Sequence, residues 1–192
     1  DTVSVTTGTL QIQFAATVGF GSLNGVQLEP GGTQTTSFCT AKTGLTCGVP
    51  QISASGTSSA AASSGFAVSA GPARQNKSGI LLYNSQPNVT GVPFEGGTLC
   101  VQSMGLRRAG STNSGAGCSP ASCNGVFSID MNAFAMSAWV VPDCNGAPSG
   151  IAPNNPAGFL VNPGTQVNCQ FWGRDTPGSS FVSDGLSYTV GP

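Results

Sequence analysis

The sequence predicts an all-β chain: an antiparallel β-sandwich, jelly-roll or immunoglobulin-like in general shape, held by disulfides. Three observations carry that expectation. Apolar residues recur with a period of two through much of the 192-residue chain, the spacing that puts alternate side chains on one face of a strand. The 28 Gly and 13 Pro punctuate these runs at short intervals, as strand-to-strand turns require. Seven cysteines occur in a chain without histidine, which favours disulfides over zinc ligation.

The N-terminal part holds the longest alternation. Leu10, Ile12, Phe14, Ala16, Val18 and Phe20 are apolar, with Thr9, Gln11, Gln13, Ala15, Thr17 and Gly19 between them. Unbroken alternation over residues 9–20 predicts a strand of roughly 40 Å, about twice the usual length. Gly8 shifts the phase of Val3 and Val5, the mark of a hinge or bulge. Residues 1–34 read as an extension and residues 35–192 as the sandwich domain. A short strand is expected near Val26 and Leu28, then strands at Thr35–Cys39 and Gln51–Ser55, with a turn region containing Cys47 between them.

The alanine run at 60–62 suits a helix by propensity. Phe66, Val68 and Ala70 nevertheless alternate between Gly65 and Gly71, so the expectation is a strand. Ile80, Leu81 and Leu82 form a continuous apolar run, which predicts a strand covered on both faces. Thr98–Gln102 reads as a strand, Gly110–Gly125 as a loop, and Val126–Met131 as a strand with Phe127, Ile129 and Met131 on one face. Ala133–Val141 reads as strand or irregular, and residues 141–156, with four prolines, as an irregular surface loop. The chain ends in three expected antiparallel strands: Phe159–Val161, a run with Val167, Cys169 and Phe171 inward, and a run with Leu186, Tyr188 and Val190 inward. Asn168 and Gln170 fall on the polar face of the middle one.

This C-terminal stretch also carries a resemblance. Val167-Asn168-Cys169-Gln170-Phe171-Trp172-Gly173-Arg174-Asp175, followed by Phe181-Val182-Ser183-Asp184-Gly185-Leu186, resembles the ending of a family of secreted bacterial domains of planctomycete and myxobacterium type. Its members end in a pattern like N-F-Q-x-W-x-R-D and then N-F-(S/T)-D-G-L. Phe38-Cys39-Thr40 with Pro50–Ala54, Gly97–Val101, and Asn113-Ser114-Gly115 with Gly125–Asp130 are similar to earlier segments of that family. The resemblance implies a secreted β-sandwich over residues 36–191 and assigns no functional residue. It also implies that Cys39 pairs with Cys100, the two positions where the family places cysteines. Cys118 and Cys123 are then expected to close a local loop. Cys47, Cys144 and Cys169 remain, an odd number, so one stays a buried thiol on a strand or bonds another chain.

Charged residues make up only 7 % of the chain, against about 25 % in ordinary globular proteins. The net charge is −1, and near-zero charge favours association. No basic patch exists to neutralise phosphates, which excludes nucleic acid as a partner. No apolar run approaches about 18 residues, so membrane insertion is not expected. The start at Asp1, without Met, reads as a mature chain freed of a signal peptide, hence secreted and extracellular or at the cell surface.

Catalytic groups are scarce. Without histidine there is no Ser-His-Asp or Cys-His arrangement. Glu29 and Glu95 sit beside glycine-rich turns and read as solvated loops rather than a glycosidase pair. Arg174 and Asp175, with Asp184 further on, read as an Arg–Asp pair and turn caps. A calcium loop would need several carboxylates in one D-x-D-x-D run. Arg107-Arg108 reads as a solvated turn. Trp172 is expected to anchor the core or a hairpin. Trp139 is the ring best placed to stack on a sugar, with packing the stronger reading. Asn76-Lys77-Ser78 and Asn88-Val89-Thr90 match the glycan acceptor pattern without an expected modification.

No catalytic residue, metal or cofactor is therefore expected. The composition points to a non-enzymatic extracellular structural subunit that polymerises with itself, head to tail. Strand 9–20 would then complete a neighbour's sheet, unless it folds back onto its own domain. A carbohydrate-binding or adhesive module, with a polysaccharide partner, is the alternative. A hydrolase working through two carboxylates is the weakest reading.

Overall fold

The computed structural model describes residues 32–119, 122–151 and 155–192, and the chain divides into two units, Asp1–Gly31 and Gly32–Pro192. The expected strand 9–20, with Leu10, Ile12, Phe14, Ala16, Val18 and Phe20, lies outside the described residues, as do Val26, Leu28 and Glu29. The described residues all belong to the second unit.

The elements of that unit, in chain order, are β1 (Thr35–Phe38), β2 (Gln51–Gly56), β3 (Phe66–Ala73), β4 (Ser78–Asn84), β5 (Pro87–Phe94), β6 (Gly97–Val101), β7 (Arg107–Asn113) and β8 (Gly125–Asp130). A short helix α1 (Met131–Ala135) comes next, then β9 (Val140–Pro142), β10 (Pro148–Ile151), a 3-10 turn (Gly158–Val161), β11 (Gln166–Arg174), β12 (Ser180–Val182) and β13 (Gly185–Thr189). The fold is all-β, and every described strand pair is antiparallel. The main sheet runs β1-β13-β11-β4-β7, with β12 also on β11, and a second sheet runs β2-β3-β8. Two hairpins, β5–β6 and β9–β10, complete the set.

The core lies between the two sheets. Leu81, Tyr83, Val167, Cys169, Phe171, Leu186 and Tyr188 of the main sheet meet Ile52, Phe66, Val68, Ala70, Phe127 and Ile129 of the second. Register explains why these residues share a face: Phe171 is opposite Leu81, Cys169 opposite Tyr83 and Leu186, and Val167 opposite Tyr188. Aromatic pairs fill the centre, with Phe66–Tyr188 at 4.7 Å and Phe127–Phe181 at 4.9 Å between ring centroids. Gly79 and Gly173 are register partners beneath the Phe127 ring. A Cβ on either would come within 2.6 or 2.7 Å of that ring, so only glycine lets the sheets close here.

Several expectations need correction. Phe159–Val161 is a 3-10 turn, with Leu160 N–H bonded to Ala157 O; three apolar residues are too few for a period to distinguish strand from turn. Residues 131–135 form a helix, because Asp130, the last residue of β8 and still opposite Ala67, caps the Ala133 amide with its carboxylate at 3.0 Å. The front of the expected loop 110–125 is strand, as is the expected turn at Arg107-Arg108. β7 pairs with β4 along its length, and only Ala109 and Thr112 of this polar strand are fully buried. Part of the expected loop 141–156 is the β9–β10 hairpin, closed by Asp143 Oδ1 accepting the amides of Asn145 and Ala147. β5 is a further, unexpected strand; its prolines mask it, and among the described strands it pairs on one side only.

Three disulfides are present. Cys39–Cys100 forms as the resemblance implied, tying the end of β1 to β6 across 61 residues. Such a closure stabilises by about 4 kcal/mol through the unfolded chain. Cys118 does not close on Cys123. It bonds Cys144, and Cys123 bonds Cys47. The Gly117 amide donates to Cys144 O at 2.9 Å, which lays these two chain segments side by side. The Gln75 amide, donating to Ser122 O, holds the neighbour of Cys123 elsewhere. Cys169 carries the free thiol and is buried. Three disulfides mark an oxidising environment, and among the described residues no helix is long and apolar enough to cross a membrane.

Candidate functional site

β11 organises the far side of the main sheet as well as the core. Alternation puts Asn168, Gln170 and Trp172 on its outer face, where the expected polar surface is instead covered. Asn168 and Gln170 are fully buried, and the β5–β6 hairpin covers Gln170. Gln170 bonds that hairpin directly. Its Oε1 accepts the Cys100 amide at 3.0 Å, and its Nε2 donates to Thr98 O at 2.8 Å and Ser183 O at 2.6 Å. The β5–β6 register is irregular between Pro87 and Val92, and Pro93 opposite Thr98 has no N–H. The glutamine amide thus serves as the missing ladder partner. Trp172 packs against Phe94 of the β5–β6 hairpin at 6.4 Å between ring centroids.

Beyond Trp172 the chain turns. Thr176-Pro177-Gly178-Ser179 is a β-turn with Ser179 N–H donating to Thr176 O at 2.9 Å and Gly178 at φ 79°. Proline at the second position and glycine at the third fit a type II turn. The Asp175 amide donates to Ser179 O at 3.1 Å and closes the loop. This turn lines a cavity of about 290 Å³ together with Lys77, Arg174 and Asp175. The expected Arg174–Asp175 pair does not form. The Arg174 guanidinium lies over the Trp172 ring, 5.4 Å from its centroid, a cation–π contact. Asp175 is only 4 % exposed.

The remaining sequence-predicted residues are scattered. Asp184 lies apart from the cavity lining and accepts the Ile52 amide at 2.7 Å, joining the two sheets. Burial pushes its carboxyl above the usual carboxylate value, while that amide pulls it down. Glu95 is exposed in the β5–β6 turn at φ 52°, accepts Ser180 Oγ at 2.7 Å, and its backbone carbonyl accepts Lys42 Nζ. Trp139 is half-buried against the core, and its indole N–H donates to Ser111 O at 3.4 Å, so packing holds it. Asn76 uses both ends of its amide: Nδ2 donates to Cys118 O and Oδ1 accepts Asn113 Nδ2. Burial pushes the Cys169 thiol far above its ordinary value, which leaves it an inert core group.

Sequence reasoning missed Lys77 as a cavity residue and Gln170 as a buried clamp. Charge scarcity was the available signal for the first. Nothing local marks the second, since its hairpin partners are 70 and 72 residues away on β6.

No protein-family model, no curated protein and no solved structure matches this chain.

Proposed function

We propose that the chain is a non-enzymatic extracellular structural subunit, secreted and polymerised head to tail by strand addition. The observation that carries this reading is the twelve-residue alternation at 9–20, ahead of a sandwich whose core is filled by residues from Ile52 to Val190. A strand with so long an apolar face needs a sheet to join. The main sheet offers edges for it. Among the described strands β1 pairs only with β13, and β7 only with β4, so both present ladder groups on one side. Low charge removes repulsion between copies, and disulfides suit a durable extracellular part.

Deletion of residues 1–20 tests the reading. The truncated protein should stay soluble and unpolymerised under negative-stain microscopy, with a lower melting temperature. Adding a peptide of residues 1–20 should restore that temperature and block growth of full-length filaments. Truncated protein that still builds the same filaments would overturn strand addition.

A further inference from the structure

The cavity at the β11–β12 turn collects charge in a chain that has little. The sequence holds six basic and seven acidic residues, and Lys77, Arg174 and Asp175 all line this one cavity. Among the described residues none of the three forms an ion pair with another charged side chain, because Arg174 is turned onto Trp172 instead. Asp175 is more than nine-tenths buried, and among the described residues no donor reaches its carboxylate. An acceptor in a cavity lining without a protein donor is an open hydrogen-bonding position. The walls are rigid: a Pro-Gly turn closed by two backbone hydrogen bonds, and a guanidinium braced on an indole ring.

We propose that this cavity binds one unit of an acidic saccharide, a uronic acid ring. Three features select that class. Two cations call for an anionic group, and the guanidinium fork matches a carboxylate in plane. Asp175 calls for a donor. An ammonium would be repelled by Lys77 and Arg174 in the same cavity, whereas neutral sugar hydroxyls donate without adding positive charge. The volume, about 290 Å³, lies at the small end of ligand cavities, which run from about 300 to 1,000 Å³, and suits a single ring. The site stands independently of the assembly reading and is separate from Trp139, which lies outside the cavity lining.

Equilibrium dialysis of the full chain against labelled trigalacturonate tests this whether or not the protein is polymerised. Neutral galactotriose, acetate and sulfate serve as controls. Saturable binding of trigalacturonate is expected, weakening as salt rises, with the controls at least tenfold weaker. Arg174→Gln, Lys77→Gln and Asp175→Asn should each weaken it by about tenfold, while melting temperatures show the variants folded. Loss in Asp175→Asn is the diagnostic result, since removing a negative charge would strengthen binding at a plain anion site. No saturable binding, equal binding of sulfate or acetate, or unchanged binding in Asp175→Asn would each overturn the proposal.

Discussion

The two faces of β11 solve burial in opposite ways. Inward, Val167, Cys169 and Phe171 meet the second sheet as apolar surface on apolar surface. Outward, Asn168 and Gln170 are equally inaccessible, yet both are amides. The inner face is stabilised by area removed from water, which needs no directional partner. The outer face works only where hydrogen bonds replace those of water. Gln170 meets that condition, with bonds to β6 and to Ser183. Asn168, opposite Asn84 in register, does not: neither its Nδ2 nor its Oδ1 has a partner. Two amides two residues apart on one strand thus have different energetic standing.

The inner face should give the largest response to substitution. Phe171→Ala removes a ring packed at 6.1 Å from Phe127 and leaves a cavity between the sheets. It should lower unfolding free energy by about 3–5 kcal/mol in urea titrations. A loss under about 1 kcal/mol would mean that the two sheets do not depend on this contact.

On the outer face the effect should be smaller and local. Gln170→Leu keeps the shape but leaves the Cys100 amide and the Thr98 and Ser183 carbonyls without their amide partner. We expect a loss of about 1–3 kcal/mol, with faster amide exchange in β6 than in β4. The Cys39–Cys100 bridge still holds the hairpin in this variant, so exchange reports the amide contacts themselves. Uniform exchange rates across both strands would contradict the clamp.

The smallest effect is the most discriminating. Asn168→Leu exchanges an unpartnered amide for an apolar group of similar size. Stability should be unchanged or rise by up to about 1 kcal/mol in the same titration. A loss of that size would show that the Asn168 amide makes a hydrogen bond that stabilises the fold.

The class of fold, the oxidising environment and most of the strands were legible in the residues alone. Those features depend on local periodicity, cysteine usage and turn residues: Phe66, Val68 and Ala70 alternate, Gly79–Tyr83 is apolar throughout, and the expected strands β1, β2, β3, β4, β6, β8, β11 and β13 are present. Period two states that a strand has two faces, and it is silent on what covers each. The burial of Gln170 emerged only on folding, because its cover is a hairpin from 70 residues upstream. The bridges arose the same way. Cys118 lies closer in sequence to Cys123, but backbone bonding at Gly117 sets it beside Cys144. The cavity shares that origin. Lys77 precedes β4 and Asp175 follows β11, and only the antiparallel pairing of these strands, Gly79 opposite Gly173, brings both to one place.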